Sequence, residues 1–289
     1  MTTIHASGPL QRTALITGAN NGIGLSLTRM MLSEGWTVIA LIRSAFPEDD
    51  LLIREAAGKR QLRIYKADLS DFVQLKNALA AIRSQETQID LLFNNAGGSF
   101  PELSFSRQGR ELHYELQTVV PYIIMMELKQ LILNSPLRTV INTSSNAFMM
   151  KRRFDPAALE RPAKFRKLTG PYADTKLALS LWTAAVAPEL EAEGILIRSA
   201  DPGGNNTMRG GKKSGIPFWL RPVIRLFFPD PTHGAGLLYQ AALGEHSHRS
   251  GVFLIKNQVT PLKFTATSKL ILEKVQAIYQ QEFRPGSSS

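Results

Sequence analysis

Seven short apolar runs alternate with helical patterns along most of the 289-residue chain. They are TALITG (13–18), WTVIALIR (36–43), LRIYKADL (62–69), IDLLFNNAG (89–97), LRTVINTSS (137–145), GILIRSADPG (194–203) and GVFLIK (251–256). Runs this apolar fit strands buried on both faces. The helical patterns between them, longest at about 106–134 and 171–193, suit crossovers joining parallel strands. The expected fold is α/β, a doubly wound, seven-stranded parallel sheet with helices on both faces. No linker rich in Pro, Gly and Ser interrupts it, so one domain over 1–289 is expected.

Composition narrows the function classes. With 44% hydrophobic and 20% charged residues the chain is of ordinary globular type. No cysteine is present, which removes disulfides, thiolate chemistry and cysteine-bound metal; no metal ligand is assigned. The lack of cysteine fits a reducing compartment, and the cytoplasm is the expected location. The N-terminal MTTIHASGPLQR has no apolar stretch of signal-peptide length, and no apolar run approaches about 18 residues.

Half of the +10 net charge falls in 148–170, where Lys151, Arg152, Arg153, Arg161, Lys164, Arg166 and Lys167 face only Asp155 and Glu160. No nucleic-acid-binding motif accompanies this segment, so it reads as a solvated insertion and no nucleic-acid partner is expected.

Two local patterns point to chemistry. ITGANNGIG (16–24) places Gly18, Asn20, Asn21, Gly22, Ile23 and Gly24 between the first strand and the first helix. Glycines there let the backbone approach a pyrophosphate, and the helix start supplies amide donors. GPYADTK (170–176) sets Tyr172 and Lys176 one turn apart on a helix face. A free phenol has a pKa of about 10, and a cation within ~4–6 Å lowers it by about 1–3 units, toward acid/base use. Tyr172 is therefore expected to be made acidic by Lys176.

TGANNGIG, NNAG (94–97), the Ser144–Ser145 pair, Tyr-x3-Lys and DPG (201–203) follow one another in the order and places of one family. Over nearly its whole length the chain resembles the short-chain dehydrogenase/reductases, nearest to the retinol dehydrogenase and carbonyl reductase-like branch. The resemblance implies a Rossmann-type fold and a nicotinamide cofactor. Ser145 (Ser144 is the alternative), Tyr172 and Lys176 become the catalytic candidates. Gln117 stands where the family has a relay asparagine, one methylene longer. It also implies that Asp68 and Leu69 border the adenine, that Asn95, Ala96 and Gly97 line the cofactor cleft, and that Pro202, Gly203 and Thr207 approach the nicotinamide end.

Where an acid would hold the ribose of NAD, Ile42 is followed by Arg43, a residue suited to a 2′-phosphate, so NADP(H) is the expected cofactor. The expected activity is hydride transfer between it and an apolar ketone, aldehyde or secondary alcohol. The alternative is a regulatory or scaffold protein that binds the cofactor with weak or no catalysis. The apolar segment at about 208–230, with Phe218, Trp219, Phe227, Phe228, Arg221 and Arg225, reads as packed core, substrate lid or peripheral lipid contact. Homodimer and monomer both stay open.

Overall fold

The computed structural model describes residues 12–204 and 229–285. Strands β1 (Thr13–Thr17), β2 (Thr37–Ile42), β3 (Leu62–Lys66), β4 (Leu91–Asn94), β5 (Thr139–Thr143), β6 (Leu196–Asp201) and β7 (Phe253–Ile255) pair in the order 3-2-1-4-5-6-7, all parallel. The seven expected strands are thus present. The structure adds an eighth, β8 (Gln258–Val259), antiparallel to β7. Lys256 and Asn257 make that turn with φ of 49° and 58°. This left-handed pair gives a tight hairpin, which a lysine does not signal.

Alternation along each strand divides the apolar residues between two layers. Leu15, Ile39 and Leu41 face α3 (Phe72–Gln85), α5 (Val120–Glu127) and α7 (Pro171–Ala192). Ala14, Ile16, Val38 and Ala40 face α1 (Gly22–Ser33), α2 (Leu51–Gly58) and α8 (Pro231–Leu243). The first layer also holds α9 (Ser268–Ile278), whose Ile271 and Val275 are buried. It packs along α7, and Tyr279, just beyond it, meets Tyr122 edge-on at 5.9 Å while Tyr122 meets Trp182 of α7 at 5.5 Å.

The helix expected over 106–134 starts later. Residues 106–110 form a loop closed by a bond from the Ser106 N–H to the Arg110 carbonyl. Then α4 (Leu112–Tyr114) runs into a π-helical turn (Glu115–Val119), followed by α5 and α6 (Lys129–Leu133). Pro121 has no N–H to offer the preceding turn, and the π turn absorbs that break.

Arg198 on β6 is fully buried, and its guanidinium donates to the carbonyls of Ala241, Ala242, Ser247 and Arg249. Burial lowers its pKa to about 10. It thereby ties the sheet to α8 and the loop after it. Arg198→Leu leaves several buried carbonyls unbonded and is expected to destabilise the fold by about 3 kcal/mol; urea unfolding measures this, and an unchanged midpoint would refute it.

Candidate active site

β1 and β4 are neighbours, yet the chain turns outward in opposite directions after each, so a crevice opens beyond their carboxyl ends. The glycine loop lines one side. A Cβ on Gly24 would lie 2.1 Å from the Gly18 carbonyl oxygen, and one on Gly18 would meet Ala96 Cα at 3.1 Å with φ at +64°. Asn21 starts α1 without a side-chain cap, which leaves first-turn amides for a ligand. Asn20 faces away and bonds the Ser44 and Ala45 carbonyls, anchoring the loop after β2. Ile23 packs beside the layer containing α1. This cradle fits a dinucleotide pyrophosphate.

The other side is the turn after β4. Thr17 Oγ1 accepts from the Asn95 and Ala96 amides at 2.9 Å, and Asn95 Nδ2 returns a bond to the Thr17 carbonyl. Gln117 is buried and bonds the Gly98 main chain twice, Nε2 to the carbonyl at 3.0 Å and Oε1 from the amide at 3.2 Å. Gly97 leaves the space this needs, since a Cβ there would sit 2.5 Å from Gln117 Oε1. The Gln117 side chain thus braces the crevice wall.

Ser145, Tyr172 and Lys176 come together at the carboxyl end of β5 and the start of α7. Ser144 is held aside, its hydroxyl bonded to Ser180 Oγ at 2.7 Å and to the Lys176 carbonyl at 3.2 Å. The Ser145 hydroxyl accepts from the Ala147 amide at 3.2 Å and lies near enough to the Tyr172 phenol to pull its pKa down. Lys176, only 4% exposed, donates from Nζ to the Thr143 carbonyl at 2.6 Å.

The electrostatics differ from the sequence expectation. Burial raises the Tyr172 phenol above its ordinary pKa of 10.0; the Ser145 bond works against this and the Asp201 charge adds to it. The Lys176 pKa falls to about 7, because burial penalises the ammonium more than Asp201 supports it. Near neutral pH Tyr172 is thus a protonated donor, and Lys176 lies close to its midpoint.

Three features beside these residues are not among the expected site residues. His113, fully buried, meets Tyr172 edge-on with ring centroids 6.0 Å apart. Its Nε2 accepts from the Phe100 amide at 2.9 Å and its Nδ1 lies 2.6 Å from Glu111 Oε1. With both nitrogens engaged, the imidazole braces the phenol. Asp201, also 4% exposed, ends β6 close to Lys176. The basic insertion is partly folded: Asp155 caps the short 3-10 helix Pro156–Ala158, Leu159 is buried, and Lys151 pairs with Asp174 at 2.6 Å. Asp174 lies on the side of α7 away from Tyr172 and Lys176, while Phe165 of the insertion stacks on His113 with ring centroids 6.4 Å apart.

The remaining candidates are distributed around the crevice. Arg43 follows β2 with its side chain 77% exposed, 3.4 Å from Asp68 Oδ2. Burial opposes the Asp68 charge, but bonds from Ser70 and the Arg43 guanidinium outweigh it and hold the carboxyl below the usual range. Leu69 turns into the core. Gly203, with φ of +74°, forms the turn after Pro202. Thr207 lies outside the described residues, as does the 208–230 segment apart from Pro229 and Asp230.

Known proteins resemble this chain in sequence and in fold. The family described as short chain dehydrogenase matches residues 12–157. Human dehydrogenase/reductase SDR family member 13 is 30% identical over 242 residues, 81% of this chain and 63% of the relative. The chain thus spans less than two thirds of that relative's length. Oxidoreductase UcpA of Salmonella typhimurium is 30% identical over 198 residues, 66% of this chain and 68% of its own. Mouse retinol dehydrogenase 11 is 27% identical, with 81% and 74% covered. Among solved structures, NADPH-bound carbonyl reductase from chicken fatty liver superposes with a TM-score of 0.64 at 21% identity, covering 87% of this chain and 99% of that one. A Brucella ovis oxidoreductase with a partially ordered NAD gives 0.57 at 21%, covering 85% and 99%.

The burial of Lys176 sets a pH dependence. The unfolded chain binds this proton below about 10.5, the folded protein only below about 7, so folding releases a proton between those values and stability rises with pH. From about pH 7 to about pH 9 the wild type should gain about 2 kcal/mol relative to Lys176→Met. Urea unfolding of both proteins at the two pH values checks this, and parallel behaviour would contradict it.

Proposed function

The chain belongs to the short-chain dehydrogenase family, and on that premise we propose that it is an NADP(H)-dependent oxidoreductase acting on a ketone, aldehyde or secondary alcohol. The observation that carries this reading is the gathering of Ser145, Tyr172 and buried Lys176 at the carboxyl end of β5, next to a glycine loop shaped for a dinucleotide. When bound, the nicotinamide cofactor supplies or accepts the hydride. The protein's own groups handle the oxygen. Ser145 holds the substrate oxygen against Tyr172, and the phenol, kept protonated by burial, gives its proton to that oxygen during reduction. Lys176 carries a proton at a pKa of about 7 one turn away, suited to restoring the phenol.

Arg43 supports NADP(H) over NAD(H). It stands at the end of β2 where an acid would repel a 2′-phosphate, and its pairing with Asp68 is long and exposed. The apolar nature of the substrate rests on 216–229, outside the described residues. Coverage of α7 by α9 supports a monomer over pairing through the long helices. No helix among the described residues is long and apolar enough to cross a membrane, and a cytoplasmic site remains part of this proposal. A regulatory or scaffold role gains nothing from Gln117 once that side chain is a brace.

Tyr172→Phe should lower kcat at least a hundredfold with NADPH affinity within about threefold of wild type, read by carbonyl-dependent NADPH oxidation and by NADPH fluorescence. Near-normal turnover would overturn the mechanism. Arg43→Asp should move the kcat/KM ratio of NADPH to NADH at least tenfold toward NADH; an unchanged ratio would remove Arg43 from cofactor selection.

A further inference from the structure

The basic segment between Ser145 and Tyr172 is pinned at several points, which a merely solvated loop does not need. Asp155 accepts the Ala157 amide at 2.9 Å and starts the turn Pro156–Ala158. Leu159 is buried, and the Glu160 carbonyl accepts the Glu111 amide at 2.8 Å. Lys151 pairs with Asp174 of α7 at 2.6 Å, and Phe154 meets Phe264, beyond β8, with ring centroids 5.9 Å apart. Phe264 holds a left-handed backbone with φ of 58°, which a bulky residue rarely adopts. Held this way, the segment stands off the start of α7 and, with Phe264, bounds a cavity of about 600 Å³. That volume suits a small organic ligand.

The cavity has two chemical faces. Phe154, Leu159, Pro162 and Phe264 give it apolar walls, and Lys151, Arg152, Arg153 and Lys164 line it with cations. Asp155 and Asp174 also reach it, but both carboxylates are engaged, one on the Ala157 amide and the other with Lys151. The side chains of Arg152, Arg153 and Lys164 have no hydrogen bond or ion pair among the described residues. An inorganic anion would meet these cations and leave the apolar walls wet. A neutral apolar molecule would fill the walls but strip water from unpaired charges. A flat anionic lipid surface would touch the rim, where Met150 is 91% exposed, without entering. An apolar body that ends in a carboxylate or phosphate satisfies both faces at once. None of Ser145, Tyr172 and Lys176 lines the cavity, and α7 reaches it through Pro171 and Asp174, so a molecule bound there is not the reacting one.

We propose that this cavity is a second small-molecule site, separate from the reacting crevice, that takes an apolar organic anion. The Arg152 and Arg153 guanidiniums and the Lys164 ammonium hold the charged head, and Phe154, Leu159 and Phe264 cover the body. The site goes beyond the dehydrogenase reading and does not rest on it.

The test is isothermal titration calorimetry of the full-length protein with octanoate and with octyl phosphate. Acetate and inorganic phosphate supply the head alone, and octanol the body alone. At least one of the two amphipathic anions should bind saturably, about tenfold or more tightly than its head or body alone. Arg152→Glu combined with Arg153→Glu reverses two exposed charges without touching the core, and affinity should fall by about tenfold or more. Ala158→Trp, at a partly exposed position lining the cavity, fills the space and should weaken the same ligand while leaving NADPH binding unchanged.

Failure of both anions to bind would overturn the proposal. So would binding that survives either variant, since the ligand would then sit elsewhere, the reacting crevice included. Co-sedimentation with vesicles of phosphatidylcholine and phosphatidylserine, abolished by the double charge reversal and without saturable binding of either anion, would make the segment a lipid-surface patch instead. Calorimetry needs no turnover, so wild-type protein inactive on carbonyl compounds would sink the dehydrogenase reading and leave this test standing.

Discussion

The site depends on a lysine that has been taken out of water. Lys176 is nearly fully buried, with its ammonium on the Thr143 carbonyl at the very end of β5. A cation there is tolerated because a main-chain oxygen, a nearby carboxylate and the crevice compensate part of its lost hydration. The same bond fixes the first turns of α7 against the sheet. Tyr172 is thereby set one turn before the lysine, and Ser145 emerges from the strand beside it. Stability near neutral pH is lower than an apolar residue at 176 would allow, a common relation between catalytic groups and the fold that holds them.

Around that point, the walls of the crevice are built from braces rather than reacting groups. Gln117 grips the peptide of Gly98, Thr17 gathers the amides after β4, and the Glu111–His113 pair backs the phenol. Each joins segments distant in sequence, and each uses polar atoms that would be costly to bury unbonded. The π turn at Glu115–Val119 belongs to this scheme, since it carries Gln117 on a stretch whose regular helix is interrupted before Pro121.

Much of the fold was legible because its signals are local. The seven apolar runs became seven parallel strands, and the glycines of ITGANNGIG sit where a Cβ would collide with main chain. The placing of Ser145, Tyr172 and Lys176 followed from motif order. What escaped was whatever depends on partners far along the chain. The hairpin at Lys256–Asn257 uses a left-handed lysine, and the late start of the helix before β5 reflects a loop closed by Arg110. The electrostatic sign at Tyr172 was misread for the same reason. Spacing shows that a cation is one turn away, but not that its ammonium bonds the Thr143 carbonyl or that burial raises the phenol's pKa.

Burial raises the pKa of the Tyr172 phenol, and direct titration of that phenol tests this most simply. The ultraviolet ionisation spectrum of the wild type minus that of Tyr172→Phe isolates a single tyrosine. The account predicts that this group ionises above the ordinary value of about 10. A difference spectrum showing ionisation well below that value would contradict it and restore the ammonium as the controlling charge.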